Sequence, residues 1–229
     1  MAAVINAGTT WTTAANNKTV TATPAVGDLI VVIAASSGLA GGTTAVTDDN
    51  SSGTYTQVDS DRTGFSTTGV LTVWVRDTLI PAASSTIFTA AQSGSSGGGL
   101  NVMRVAGMSR TGAAAVRGNG GQSTGTGGTT PAPVLSLTPL LDNPIICAVA
   151  NGSAAPIMTP RSSPAYSEGA DNSYTVPATA LETAWINSGE TSATITMGAT
   201  SGTAFASVAV ELDAARVPFY QPYTQLLAQ

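Results

Sequence analysis

The chain of 229 residues carries few charges, only 9% of its residues, and its formal net charge of −5 makes it acidic. Its eight Lys and Arg residues are scattered, which argues against a nucleic-acid partner because phosphate binding needs clustered positive charge. The sequence has no histidine, which excludes Ser-His-Asp and Cys-His catalysis and the usual zinc sites. No apolar run approaches the roughly 18 residues of a membrane span, so we expect no membrane partner.

The first half of the chain begins with short strands. Alternating residues around Trp11 and over 18–23 predict a lead-in strand or hairpin. The run 28–36 is continuously apolar and rich in β-branched residues, which predicts a central strand buried on both faces. Residues 37–68 are mostly polar and predict a long loop that holds one short hairpin near 54–58.

Three further strands complete the first half. Residues 69–78 predict a strand with Trp74 near its centre, and residues 84–90 predict a Thr-rich strand. The Gly- and Ser-rich residues 92–99 predict a turn, after which residues 100–106 close the half.

The second half repeats this order after a Gly-rich connection at 117–130. Trp74 and Trp185 are therefore predicted to hold equivalent positions in the core. Apolar residues do not recur at helical spacing, so we expect little helix. The repeated elements are a lead-in strand at 131–138, a buried strand at 142–150, a polar loop with prolines at 151–179, a Trp strand at 180–188, a Thr strand at 191–197 and a closing strand at 204–212.

These elements predict an all-β protein, an antiparallel β-sandwich over residues 1–215 with pseudo-equivalent halves at 10–108 and 130–213. Either half alone would leave a large apolar sheet face exposed. We therefore expect the two halves to be interleaved in one sandwich rather than to form two independent domains.

Residues 216–229 differ from the rest and are predicted to form an extended C-terminal arm. They combine prolines, aromatic residues and leucines, which a free tail would expose to water. The arm would pack back on its own domain or dock on a neighbouring subunit, and we favour docking. The predicted partner-binding residues are Pro218, Phe219, Tyr220, Pro222, Tyr223, Leu226 and Leu227.

Carboxylates are the remaining candidates for acid–base chemistry, since a pair of them can hydrolyse a glycoside. Most lie beside Ser, Gly or Asn, where Asp bonds its own backbone in turns. We therefore interpret them as solvated turn residues and predict neither a catalytic residue nor an enzyme. Cys147 lies in a buried run and is interpreted as a small core residue. The carboxylates considered are Asp48, Asp49, Asp59, Asp61, Glu168, Asp171, Glu182, Glu190 and Glu211.

One loop has the ligand spacing of an EF-hand calcium loop. Asp48, Asn50 and Ser52 stand at positions 1, 3 and 5, Gly53 at position 6 and Asp59 at position 12. Position 12 lacks the usual Glu, and the same residues also suit a tight β-turn. We expect no cofactor, with calcium at these four oxygen-bearing residues as the metal candidate.

The order of the segments resembles that of jelly-roll structural proteins of tailed bacteriophages. The resemblance covers most of residues 10–213 and rests on turn-and-strand motifs such as 24–32 and 47–56. It implies a jelly-roll-like sandwich and a non-enzymatic virion protein, a capsid decoration or cement subunit on the particle exterior. The first residues lack the basic and apolar segments of a secretory signal, which fits synthesis in the host cytoplasm. Neighbouring virion subunits and further copies of this chain would be its partners.

The alternative is a minor tail or tail-fibre protein that binds a surface glycan of the host. The polar loops 37–68 and 151–179 would then form the binding site. Aromatic rings stack on sugars, and the candidate platforms are Trp11, Tyr55, Tyr166 and Tyr174.

Overall fold

The computed structural model describes residues 2–12, 16–38, 42–66, 68–154, 159–175 and 178–214. Within these ranges the protein is all-β, as predicted, with a single turn of 3-10 helix at Gly112–Ala115 and no α-helix. The strands are β1 (Ala3–Thr12), β2 (Lys18–Ala22), β3 (Leu29–Ser37), β4 (Val46–Asp48), β5 (Tyr55–Gln57), β6 (Arg62–Thr63), β7 (Val70–Arg76), β8 (Thr86–Ala90), β9 (Gly97–Ala106), β10 (Val116–Gly125), β11 (Ile145–Asn151), β12 (Ser167–Thr175), β13 (Ala178–Ile186) and β14 (Phe205–Leu212).

Two large antiparallel sheets have the same strand order. The first sheet is β1-β9-β3-β7-β5, with β6 also paired to β7, and the second sheet is β10-β14-β11-β13-β12. The strands correspond position by position, so β3 and β11 are counterparts at the centre, β9 and β14 on one side, and β7 and β13 on the other. The internal repeat of the sequence thus becomes two sheets of matching topology.

The two sheets pack face to face around a shared core. Alternate residues of β3, such as Val31 and Ile33, meet residues of β11 and β14 such as Ile146 and Val208. β9 lies against β13, and its counterpart β14 lies against β7, the counterpart of β13. This reciprocal contact is that of a pseudo-two-fold interface. The first large sheet takes its strands from residues 3–106 and the second from residues 116–212, so the two parts of the chain share a core without interleaving their strands.

Each large sheet is also covered on its outer face. A small sheet, β2-β8-β4, packs on the first sheet around Ile30, Val32 and Phe88. On the second sheet the cover consists of loops, whose Leu135 and Ile195 pack against Cys147 and neighbouring residues. Because β3 and β11 are buried from both sides, their sequences are continuously apolar. The β-sandwich is confirmed, while the jelly-roll arrangement stays a prediction.

Several local predictions were wrong. The Gly-rich residues 117–130, predicted as a connection, contain most of β10, which pairs with β14. The Pro-containing loop 151–179 contains β12, a nine-residue edge strand. The Thr-rich strand predicted at 191–197 is a loop with one isolated bridge, from Thr194 to Val134.

Trp74 and Trp185 lie on counterpart strands but on opposite faces. Trp74 points to the outer face of the first sheet, where it packs with Ile30 and Val32, whereas Trp185 packs against the core between the sheets. Side chains alternate along a strand, so an offset of one residue between the halves reverses the face. The predicted equivalence of the two tryptophans was therefore wrong, although both pack against core clusters.

In the described ranges, no helix is long and apolar enough to cross a membrane.

Candidate metal centre

The predicted calcium loop is held by arginines. The carboxylate of Asp48 accepts hydrogen bonds from Arg76 Nε and Tyr55 Oη, both at 2.7 Å, and Asn50 uses its side-chain amide to bind Thr86. Asp59 forms a two-point pair with Arg62, with distances of 2.7 and 2.6 Å. A calcium ion at Asp48 and Asp59 would have to displace both guanidinium groups. Ser52, the remaining predicted ligand, is exposed.

Two further buried carboxylates also accept from arginines. Glu190 pairs with Arg161 at 2.9 Å, and Glu211 pairs with Arg117 at 2.6 Å. Glu211 additionally accepts from the side-chain amide of Asn143 at 2.7 Å. The Glu211 pair joins β14 to β10, and the Glu190 pair joins two loops, so both carboxylates have structural partners of opposite charge.

A third group of carboxylates has no arginine partner within the described ranges. Among the described residues, Glu168, Asp171 and Glu182 form the group of three potential metal ligands, with ligand oxygens that all lie within 4.8 Å of one another. We call this group the acidic cluster. Glu168 and Asp171 lie on the edge strand β12 and are exposed, whereas Glu182 lies on β13 and is fully buried. The cluster lies on the outer face of the second sheet, since Val149, which pairs with Glu182, packs in the outer core.

A β-bulge brings the three side chains to one face. Asp171 pairs directly with Glu182, and Glu168 pairs with Ala184, with a register shift between Glu168 and Ala170. Residues three apart on a regular strand point to opposite faces. The extra residue, Gly169, turns Glu168 to the side of Asp171, as bulges commonly do near functional sites.

The space around Gly169 leaves no room for a side chain. A Cβ atom there would lie 2.6 Å from Thr183 Oγ1 and 2.8 Å from the Cε atom of Met103. The Gly169 carbonyl accepts a hydrogen bond from the side-chain amide of Asn6, which lies in the first sheet. Asn101 links Asn6 to Thr183 with hydrogen bonds of 2.8 and 3.0 Å. A polar network between the two sheets therefore anchors the bulge from behind.

The environment of Glu182 disfavours its charge. Neither carboxylate oxygen of Glu182 has a hydrogen-bond partner within the described part of the chain. Burial, together with the negative charges of Glu168 and Asp171, raises the pKa of Glu182 to about 9. Burial likewise raises the pKa of Asp171. The cluster thus combines three acids, and no positive side chain of the described residues forms a hydrogen bond with them.

The counterpart of Glu182 in the first half is Thr72. Ile30 and Ile145 begin the outer-facing rows of β3 and β11, and four residues later Ala34 pairs with Thr72 while Val149 pairs with Glu182. Thr72 is satisfied: its hydroxyl donates to the Ala34 carbonyl at 3.3 Å and accepts from Trp74 Nε1 at 3.0 Å. At this position the first half has a hydrogen-bonded hydroxyl, whereas the second half has an acid without a hydrogen-bond partner in the described part of the chain.

Most of the aromatic residues predicted to stack on sugars are wholly or partly buried in the fold. Tyr166 is 7% exposed and donates to Glu190 at 3.1 Å. Trp11 is half-buried and packs against the shared core, and Tyr174 is half-buried on β12. The structure does not gather these rings with Tyr55 at one described surface. The predicted arm residues, 218–227, lie outside the described residues.

Sequence reasoning recognised the members of the acidic cluster only as separate carboxylates. Their spacing, with Glu168 and Asp171 three apart, indicates opposite faces unless the bulge is known. The isolated Gly169 between polar strand residues was the available signal, because glycine inside a strand often marks a bulge.

Comparison of the chain with protein-family models and with curated proteins finds no match in either set. Glu182 has no exposed surface, so a sugar cannot contact it as a substrate contacts a catalytic acid. Carboxylate oxygens at this spacing can instead share one metal ion.

Proposed function

We propose that this protein is a non-enzymatic structural subunit of a bacteriophage particle, placed on the exterior of the head as a decoration or cement protein. The turn-and-strand motifs that resemble phage jelly-roll proteins support this proposal. The β-sandwich with its doubly covered central strands is compatible with such a role, because a decoration protein needs a rigid domain.

The observation that carries the proposal is that buried carboxylates pair with arginines inside the fold. Asp48, Glu190 and Glu211 are buried, and each accepts from an arginine that also binds loop carbonyls or crosses between strands. Arg76, for example, reaches Asp48 and the carbonyls of Thr78 and Leu79. Hydrogen-bonded pairs of this kind fix loops in place. They suit a scaffold that must keep its shape on a particle.

The C-terminal arm supplies the mechanism of attachment in this proposal. Its aromatic residues and leucines would bury apolar area on a neighbouring subunit, at about 25 cal/mol per Å². Many copies on one particle would add these contributions through avidity. Removing residues 216–229 should then leave a folded sandwich that no longer binds particles, and normal binding by the truncated protein would refute the role of the arm.

The location of the protein can be tested by negative-stain imaging of phage particles labelled with an antibody against it. Label over the whole head at high copy number is the expected result. Label confined to the tail tip would refute the head location and would favour the tail or fibre alternative. Particles without label, alongside free protein in the lysate, would refute a virion role altogether.

A further inference from the structure

Glu182 is the buried group that the rest of the fold leaves unexplained. It has no exposed surface, and both of its carboxylate oxygens lack a hydrogen-bond partner among the described residues. Buried polar groups in native proteins are almost always hydrogen-bonded. Protonation would remove the charge, but the resulting hydroxyl would still lack an acceptor and the second oxygen a donor.

The other buried carboxylates show how this fold normally satisfies an acid. Asp48, Glu190 and Glu211 each receive hydrogen bonds from an arginine. Glu182 instead has Glu168 and Asp171 beside it, which repel its charge. A positive ion is the group that would compensate all three acids together.

The geometry suits one such ion. Three ligand oxygens that all lie within 4.8 Å of one another have a common centre no more than about 2.8 Å from each, so small side-chain rotations would bring them to the calcium–oxygen distance of about 2.3–2.6 Å. All three ligand groups are carboxylates, which hard cations prefer to the nitrogen and sulfur ligands of softer metals. Glu168 and Asp171 are exposed, so the cluster is open to water on one side. Water could complete the six to eight oxygens that calcium takes, whereas magnesium demands shorter, octahedral coordination.

We propose that Glu168, Asp171 and Glu182 bind a divalent cation of the calcium type. The ion would join the edge strand β12 to β13, since two ligands lie on β12 and the third on β13. Without the ion, repulsion between the acids would loosen β12 at its bulge. This inference is independent of the virion role, because it concerns the sandwich alone.

Calorimetric titration with calcium and thermal unfolding of the full chain, after removal of metal by a chelator, test the proposal. One calcium ion per chain should bind, and Tm should rise by about 5–10 °C at a 100-fold excess over Kd. Glu182→Gln and Glu168→Gln should each weaken binding at least tenfold. Asp142→Asn removes an exposed carboxylate outside the cluster and should leave calcium binding unchanged.

Absence of both heat and Tm shift in the wild-type protein would overturn the proposal. So would undiminished binding in the two cluster variants, which would place the ion elsewhere, for example at Asp48 and Asp59. Glu168→Gln changes an exposed side chain, so a folding defect in Glu182→Gln would not obscure the result. Hydrogen exchange gives a second readout: calcium should slow exchange of amides in β12 and leave those in β2 unchanged.

Discussion

Thr72 and Glu182 hold counterpart positions in the two halves, but only Thr72 is satisfied by hydrogen bonds. The hydroxyl of Thr72 donates to the Ala34 carbonyl, while neither oxygen of Glu182 has a partner among the described residues. In the first half this position holds a hydroxyl that stabilises the fold, whereas in the second half it holds a carboxylate that stabilises nothing through hydrogen bonds among the described residues. This difference distinguishes the halves more sharply than their topology does.

Replacing Glu182 by glutamine should stabilise the metal-free protein. Glutamine has a similar shape but needs neither a buried charge nor the uptake of a proton on folding. At pH 8 in the presence of a chelator, we expect Glu182→Gln to gain at least about 1 kcal/mol, or roughly 2–4 °C in Tm. Thermal unfolding followed by circular dichroism measures this. An equal or lower Tm for the variant would show that Glu182 is already accommodated.

Gly169→Ala should destabilise the sandwich at the bulge. The added Cβ would meet Thr183 Oγ1 at 2.6 Å and the Cε atom of Met103 at 2.8 Å, so neighbouring side chains must shift. We expect a loss of about 1–3 kcal/mol in urea unfolding. Gly202→Ala is the matched control, since a Cβ atom there has nothing within 4 Å. Equal losses in both variants would contradict the prediction.

Breaking the buried ion pair between Arg76 and Asp48 should cost much more than breaking an exposed one. Arg76→Met leaves the carboxylate of Asp48 buried without its cation, and we expect a loss of about 3–5 kcal/mol. Adding Asp48→Asn should recover part of this loss. Arg110→Met removes the exposed pair with Asp213 and should cost less than about 1 kcal/mol. Chemical denaturation of the three variants, the double variant included, alongside the wild-type protein gives the comparison.

Because of Tyr166, the free energy of unfolding should fall as the pH becomes alkaline. Burial and the neighbouring Glu190 carboxylate raise the pKa of Tyr166 well above its ordinary value near 10. The unfolded chain releases this proton above about pH 10 while the folded protein retains it, so stability falls as pH rises. Tyr166→Phe lacks this proton, so its free energy of unfolding does not fall for this reason. The difference in free energy of unfolding between the wild-type protein and the variant should therefore narrow from pH 9 to pH 11. A constant gap in urea unfolding would show that the hydroxyl titrates normally.

Cys147 should be inert in the folded protein. It is 1% exposed, and burial raises the pKa of its thiol to about 12, helped by the charge of Glu182. A disulfide reagent should therefore leave it unmodified at pH 8 and titrate one thiol per chain in denaturant. Rapid modification of the native protein would mean that the outer core of the second sheet opens readily.

The central strands were predictable from the sequence alone. Residues 29–35 and 145–150 are apolar without interruption because β3 and β11 are covered on both faces. The recurrence of such segments predicted that the two halves repeat most of their elements in the same order along the chain, but it did not predict the order of strands within each sheet. β10 and β12 were missed because glycine and polar residues dominate them, which is usual for loops but compatible with edge strands.

By itself the sequence determined the all-β class, the repeat and the fully buried strands, since these depend on composition and local pattern. Tertiary structure decided which face each side chain takes, because a one-residue change of register reverses it. Trp74 and Trp185 lie on opposite faces of their sheets for this reason. The bulge at Gly169 brings Glu168 beside Asp171. The acidic cluster exists only after β12 and β13 pair, so the local pattern could indicate the bulge at Gly169 but not that Glu182 lies beside it.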